Sequence, residues 1–173
     1  MLLVLLIAGT IQARHIVGGV MTYECLGNGN YAFTLKVYRD CNCTDCANFD
    51  PQALIAVYRC GGATNCASLN QNSFFRRVDV PIAESRNVEA PDYPCLIPPN
   101  VCVEEGVYYF TLNLPASEES YHVSYQRCCR NITINNLINP EASGATYSVE
   151  ITPTSQNLCN SGPEFAQFPP TVI

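Results

Sequence analysis

The sequence has little charge, few cationic side chains and only two histidines. Only 14% of its 173 residues are charged, the net charge is −6 at pH 7, and lysine occurs once, as Lys36. Arg76-Arg77 is the largest basic cluster. Because binding to a phosphate backbone requires several cations on one surface, we expect no nucleic-acid partner.

The sequence also lacks an apolar run long enough to span a membrane and a stretch with the periodicity of a three-turn amphipathic helix. Residues 2–8 (LLVLLIA) form a short apolar run, and small residues follow it up to Ala13. This pattern is typical of a secretory signal peptide, which we assign to residues 1–13, with a buried first strand as the alternative. Residues 14–163 are then the folded domain, with no membrane span once the signal is removed.

Eleven cysteines are the most informative part of the composition. With only two histidines to help bind metals, so many cysteines indicate an oxidising compartment and disulfide bonds, and therefore a secreted or extracellular protein. The spacing of Cys41, Cys43 and Cys46 would also allow a metal site, but we favour disulfides. Oxygen ligands in the same loop make a weak calcium site the alternative, and we expect no other cofactor. The calcium candidates are Asp40, Asn42 and Asp45, with Thr44 as a further oxygen.

Alternation of apolar and polar residues predicts strands along most of the chain. Residues 17–23 and 31–38 should form a hairpin around the turn at 27–30, with Lys36 on the solvated face. Residues 53–58 (ALIAVY) are apolar on both faces, which predicts a central strand covered on both sides. Further strands are expected at 74–80, 106–114, 121–126 and 145–151, and an irregular proline-rich connection at 82–100. The predicted fold is all-β, a disulfide-rich immunoglobulin-like two-sheet sandwich.

The segment 121–136 (YHVSYQRCCRNITINN) is the expected centre of this sandwich. Tyr121, Val123 and Tyr125 share one face of a strand that leads into the adjacent Cys128 and Cys129. In extended geometry these two cysteines point to opposite faces, so we expect them to reach different partners. Tyrosines on inward faces are assigned to the core, namely Tyr31, Tyr108, Tyr121, Tyr125 and Tyr147.

Loop entropy gives a ranking of disulfide pairings that the sequence alone leaves open. A local Cys60–Cys66 bond would stabilise the fold by roughly 2.3 kcal/mol, and a bond from Cys41 to the vicinal pair by about 4.6 kcal/mol. We therefore expect the vicinal pair to bond to the 41–46 loop, with Cys60–Cys66 and Cys95–Cys102 local and Cys159 unpaired. The disulfide candidates are Cys25, Cys41, Cys43, Cys46, Cys60, Cys66, Cys95, Cys102, Cys128 and Cys129.

Catalytic residues are not expected. The two histidines, His122 on an outward strand face and His15 near the mature N-terminus, fit surface positions better than a Cys/His pair. Glu104-Glu105 and Glu118-Glu119 lie at predicted strand ends, where solvated carboxylates are common. Tyr38, Tyr58 and Tyr109 fall outside the predicted core and are the candidate ligand-binding side chains.

Several motifs together resemble one family: HIVGG (15–19), TYEC (22–25), LKVYRDC (35–41), YQRCCRN (125–131) and FPPTVI (168–173). They are similar to the N-terminal domain of large secreted Bacteroidota surface proteins. Such proteins continue into PKD-like or other immunoglobulin-like domains and end in a gliding-motility-associated or type IX secretion sorting domain. The resemblance implies export to the bacterial cell surface and carries no catalytic residues. Residues 164–173 would then be a linker into a following domain.

We therefore expect a non-catalytic structural or adhesive module of a multidomain bacterial cell-surface protein. Its partners would be the following domains of the same chain and surface glycans or matrix proteins. The alternatives are a carbohydrate-binding module appended to a secreted enzyme and a filament-forming surface subunit, because sheet edges can accept a partner strand.

Overall fold

The computed structural model describes residues 15–42, 47–60, 73–89 and 102–164. The expected signal peptide, most of the expected linker, Asp45 and the cysteines at 43, 46, 66 and 95 lie outside these ranges. The described strands are β1 (Ile16–Gly27), β2 (Asn30–Asp40), β3 (Gln52–Cys60), β4 (Phe74–Pro81), β5 (Glu84–Asn87), β6 (Val103–Asn113), β7 (Ser120–Cys128) and β8 (Gly144–Ile151). A 3₁₀ helix (Pro140–Ala142) precedes β8, and a short helix α1 (Pro153–Leu158) follows it.

The strands form two four-stranded antiparallel sheets. The first sheet has the order β1-β2-β6-β5 and the second has the order β4-β3-β7-β8. With the eight strands lettered A, B, C, C′, D, E, F and G in chain order, the two sheets are ABED and C′CFG, which is the arrangement of an immunoglobulin-like sandwich. The predicted fold class is confirmed.

The hairpin between β1 and β2 forms because its turn residues tolerate positive φ. Gly27, Asn28 and Gly29 have φ values of 87°, 52° and 73°. A Cβ on Gly29 would lie 2.8 Å from the carbonyl oxygen of Leu114, so this position also needs the absence of a side chain. The predicted hairpin is confirmed.

Alternation along the strands also places the core as predicted. On β2, Tyr31, Phe33, Leu35 and Val37 are at most 2% exposed. From the facing sheet, the inward residues of β7 (Tyr121, Val123 and Tyr125) are at most 1% exposed. Tyr108 is fully buried, whereas Tyr147 is half-buried and packs against the core.

A tyrosine fixes the turn between β6 and β7. The hydroxyl of Tyr121 donates a 2.8 Å hydrogen bond to the carbonyl oxygen of Pro115, six residues earlier in the chain. A tyrosine near the start of the F strand that bonds back to the preceding turn is a recurrent feature of immunoglobulin-like sandwiches. This bond gives the buried hydroxyl of Tyr121 a hydrogen-bond acceptor.

Two predictions about individual segments are wrong. Strand β3 is central in its sheet but covered on one face only, because Ala53, Ile55 and Val57 are fully buried while Leu54 is 48% exposed. An apolar outward residue carries no information about what covers it. The connection after β4 is not wholly irregular, since β5 pairs with β6 there.

The disulfides differ from the predicted pairing. Cys25 bonds to Cys159, Cys41 bonds to Cys102, and Cys128 bonds to its neighbour Cys129. The expectations that Cys159 is unpaired, that Cys102 bonds to Cys95 and that the vicinal pair reaches the 41–46 loop are therefore wrong. The entropy ranking failed because it contains no information on which chain ends meet in space. Cys60 is also disulfide-bonded, and its predicted partner Cys66 lies outside the described residues.

Candidate functional site

Three interstrand segments meet at one end of the sandwich, which we call the loop end. These segments follow β2, precede β6 and join β7 to β8. The Cys41–Cys102 bond joins the first two, and the side-chain amide of Asn131 donates to Asp40 Oδ2 at 2.9 Å to join the third. In immunoglobulin-like sandwiches, loops grouped at one end of the sheets carry the binding residues.

Asp50 organises the inner part of the loop end. Its Oδ2 accepts a 2.6 Å hydrogen bond from the Tyr125 hydroxyl, and its Oδ1 lies 2.7 Å from Arg127 Nη1. Its backbone oxygen accepts from the Tyr108 hydroxyl at 2.8 Å. Burial and the nearby Asp50 charge raise the pKa of Tyr108 to about 12, and burial and the hydrogen bond to Asp50 raise the pKa of Tyr125. Both phenols remain protonated donors.

Arg39 anchors the segment that precedes β3. Its guanidinium lies 2.6 Å from Glu104 Oε2 and donates a 3.0 Å hydrogen bond to the carbonyl oxygen of Ala47. It also lies 5.1 Å from the ring centre of Phe49, which is 8% exposed. A planar cation that bonds to a carboxylate and covers a ring restricts this loop strongly.

Asp40 serves as a structural hub at the loop end. Its Oδ1 accepts from the backbone N–H of Asn42 at 2.9 Å, and its Oδ2 accepts from Asn131. The weak calcium candidates thus include two residues that hydrogen-bond to each other, while Asp45 lies outside the described residues. Within the described ranges, no group of three or more His, Cys, Asp or Glu side chains could hold a metal ion.

His15 is not the surface histidine that the sequence predicted. It is fully buried at the loop end, and neither ring nitrogen has a hydrogen-bond partner among the described residues. Burial, followed by the positive charges of Arg127 and Arg39, lowers its pKa to about 4. The prediction failed because the residue next to the expected cleavage point is covered by the fold. His15 is therefore neutral at physiological pH.

The segment joining β7 to β8 contains the most exposed apolar side chain of the loop end. Residues 131–139 (NITINNLIN), which we call the apolar loop, contain no charged residue. Ile132 is 54% exposed, Leu137 39% and Ile138 90%. The sequence analysis did not identify these residues as candidates. The pair Leu137-Ile138, which lies between asparagines and outside any predicted strand, could have indicated an exposed apolar loop. Three exposed apolar side chains on one short loop make it the candidate contact surface of the loop end.

The base of the apolar loop is held firmly. The N–H of Arg130 donates to the carbonyl oxygens of Pro140 and Ser143, both at 3.1 Å. The N–H of Asn131 donates to the carbonyl oxygen of Ile16 at 2.9 Å. Asn139 adopts a left-handed conformation, with φ of 51°, before the 3₁₀ helix. The exposed side chains therefore project from a defined base.

A second polar cluster lies on the outer face of the first sheet, where two predictions of solvated charges are wrong. Glu105 is 3% exposed, with Oε1 at 3.3 Å from Lys36 Nζ and Oε2 at 2.8 Å from Arg86 Nη2. Tyr38 also donates to Oε1 at 3.0 Å. Burial raises the pKa of Glu105, but hydrogen bonds from Arg86, Tyr38 and Lys36 outweigh it and lower that pKa overall. The Lys36 side chain is only 14% exposed.

The three candidate ligand-binding tyrosines differ in how much of each ring is exposed to solvent. Tyr38 is half-buried, and burial followed by Glu105 raises its pKa to about 12. Tyr58 is half-buried on the second sheet, packed edge-to-face on Phe74 at 5.9 Å. Tyr109 is 55% exposed, and its hydroxyl donates to Glu84 at 3.0 Å. Only Tyr109 presents most of its ring to solvent.

A groove of about 380 Å³ lies on the same outer face of the first sheet. Its walls include Thr34 and the segment 161–164, whose Gly162 N–H donates to the carbonyl oxygen of Tyr23 at 2.8 Å. Thr34 is the direct cross-strand neighbour of Tyr109, so the exposed ring adjoins the groove. Charged groove residues are Glu24, Lys36 and Glu164.

His122 lies on the outer face of the second sheet, as its alternation predicted, but it is half-buried. Burial lowers its pKa, against the raising effect of Glu150, its neighbour on β8. Nδ1 of His122 and Oε1 of Glu150 have no hydrogen-bond partner among the described residues. The cysteines in the described ranges are all disulfide-bonded, so none of them offers a thiolate to either histidine.

Comparisons with known proteins add no relative. No protein-family model, curated protein or solved structure matches the chain. Among the described residues, no helix has the length and apolar character needed to cross a membrane.

Proposed function

We propose that the protein is a non-catalytic extracellular module of a multidomain bacterial surface protein, and that it adheres through its loop end. The observation that carries the proposal is the exposure of Ile132, Leu137 and Ile138 on an uncharged loop with a hydrogen-bonded base. A preordered loop loses little conformational entropy on binding, so its apolar side chains contribute more of their burial energy to affinity.

The disulfide arrangement supports this function. Cys41–Cys102 joins two segments of the loop end, and Cys25–Cys159 joins β1 to the segment after α1. Disulfides of this kind form and persist outside the reducing cytosol. This chemistry favours export to the cell surface and agrees with the signal-peptide pattern in residues 1–13.

Beads coated with the protein test the proposal on immobilised collagen, fibronectin and laminin and on a glycan array. We expect adhesion to at least one of these surfaces, and we expect Ile138→Ser to weaken it by about tenfold, since burying an isoleucine contributes more than about 1.4 kcal/mol. Leu158→Ser is the matched control, because Leu158 is 69% exposed but lies on α1 at the other end of the sandwich. Equal loss in both variants, or no adhesion to any surface, would contradict the proposal.

Carbohydrate binding on the outer face of the first sheet is the second candidate. The exposed ring of Tyr109 beside a groove with hydroxyl and charged side chains favours it, because sugar rings stack on aromatic faces while polar groups bind their hydroxyls. A defined oligosaccharide that binds the protein but not Tyr109→Ala, with Ile138→Ser unaffected, would support this candidate and place binding away from the loop end.

A further inference from the structure

The Cys128–Cys129 bond occupies a special position in the fold. Cys128 is the last residue of β7, opposite Gly144 of β8, and Cys129 begins the connection to the apolar loop. The bond joins sequence neighbours, so it bridges no separate segments. Its direct effect is confined to the backbone around one peptide group.

The two long bridges have a different role. Cys25–Cys159 and Cys41–Cys102 span 134 and 61 positions, so each greatly restricts the unfolded chain. The vicinal bond closes the shortest possible loop and restricts the unfolded chain least. Opening the vicinal bond should therefore leave the sandwich folded. Opening either long bridge should destabilise the sandwich much more.

The vicinal bond is as accessible as Cys25–Cys159 and more accessible than Cys41–Cys102, whose two cysteines are both half-buried. Cys128 is exposed and Cys129 is half-buried. Arg130 directly follows the pair and donates to a neutral acceptor, the carbonyl oxygen of Gly144, whereas the charge of Arg127 is paired with Asp50. Thiol–disulfide exchange requires that an external thiolate reach one sulfur, and a neighbouring cation attracts a thiolate and stabilises the leaving one. The site therefore meets the steric and electrostatic requirements for exchange.

The backbone directly after this bond carries the hydrogen bonds that hold the apolar loop. Arg130 N–H bonds to Pro140 and Ser143, and Asn131 N–H bonds to Ile16. Fixing the conformation of the 128–129 peptide directs both N–H groups toward their acceptors. Release of that restraint gives this segment more conformations and weakens the loop base.

We propose that Cys128–Cys129 is a reversible thiol-exchange site, opened by an external dithiol, that controls the order of the apolar loop while the long bridges stay closed. This does not depend on the identity of any adhesion partner. A thiolate of the dithiol attacks the Cys128 sulfur, a mixed disulfide forms, and Cys129 leaves as a thiolate that takes a proton. The second thiol of the dithiol then attacks the mixed disulfide, so the dithiol is oxidised to a disulfide and the pair is reduced by two electrons.

The experiment is a titration of the full chain with dithiothreitol, followed by alkylation and peptide mapping. We expect Cys128 and Cys129 to be alkylated at about tenfold lower dithiothreitol than Cys25 and Cys159, because the bridge that stabilises the fold more is itself harder to reduce in the folded protein. Hydrogen exchange at the Arg130 and Asn131 amides should accelerate by about five- to thirtyfold in this state. Exchange within the buried part of β7 should not change.

A Cys128→Ser/Cys129→Ser variant should show the same faster exchange at Arg130 and Asn131 without any reductant. If this variant does not fold, the dithiothreitol titration of the unaltered chain still tests the proposal. Simultaneous reduction of the long bridges, unchanged exchange after selective reduction, or a map joining Cys128 or Cys129 to another cysteine would each overturn the proposal.

Discussion

Removing the Cys25–Cys159 bond should destabilise the protein far more than removing the Cys128–Cys129 bond. The bridge closes a loop of 134 positions, for which the chain-entropy model gives about 5 kcal/mol, whereas a two-residue loop gives about 1 kcal/mol. Total stabilities of domains are about 5–15 kcal/mol, so the long bridge contributes a third or more. Cys159 is exposed and Cys25 half-buried, so Cys25→Ala/Cys159→Ala leaves no large cavity, and the loss comes mainly from the freed unfolded chain.

Urea unfolding followed by circular dichroism measures this difference. The midpoint of Cys25→Ala/Cys159→Ala should shift strongly, and its m-value should increase because the unfolded chain exposes more surface. Cys128→Ser/Cys129→Ser is the matched control, since it also removes one bond and two sulfurs. A loss below about 2 kcal/mol for the long bridge, or a larger loss for the vicinal pair, would refute the entropic reasoning.

Three further predictions concern single side chains. Glu105→Gln should lower the free energy of unfolding by about 2 kcal/mol, because it leaves Lys36, whose side chain is only 14% exposed, without its carboxylate; in the same urea assay, Asp79→Asn in an exposed pair should cost under about 0.5 kcal/mol. Tyr121→Phe should cost about 1 kcal/mol for its lost turn hydrogen bond, and Tyr109→Phe should be nearly neutral because its hydroxyl is exposed; equal costs would contradict this. The His15 pKa of about 4 in the folded protein lies below the value near 6.5 in the unfolded chain. Between these two pH values the unfolded chain therefore binds a proton that the native state does not. The free energy of unfolding should fall by up to about 3 kcal/mol as the pH is lowered from about 6.5 to about 4. His15→Gln should remove that part of the pH dependence, and an unchanged slope would contradict it.

The strand faces were predictable because alternation is a local property. A residue two positions along a strand returns to the same side, so Tyr31, Tyr108 and Tyr125 could be assigned to the core before the order of strands in the sheets was known. Alternation does not predict whether a charged side chain on the outer face is exposed to solvent. Lys36 was correctly placed on the outer face, but the sequence could not show that Glu105 and Arg86 lie beside it and bury its side chain.

The candidate site was less predictable because it depends on contacts between distant segments. The sequence indicated Asp40 only as a weak calcium candidate and gave Asp50 and Asn131 no structural role, yet the fold brings all three to one end and uses them to fix the loops. The cysteines show the same limit, since the partner of Cys41 is set by the place where β6 begins, not by loop length.

The two candidate surfaces differ in a way that makes the function testable. The apolar loop lies at the loop end, and its order depends on the backbone after Cys129, so an adhesive role predicts that binding through Ile138 weakens when Cys128–Cys129 is opened. Tyr109 lies on a sheet face, where β6 is paired on both sides by β2 and β5, and sugar binding there should not respond to the same reduction. Measuring binding before and after selective reduction therefore separates the two functions even while the ligand is unidentified, because only one of the two surfaces is coupled to the vicinal bond.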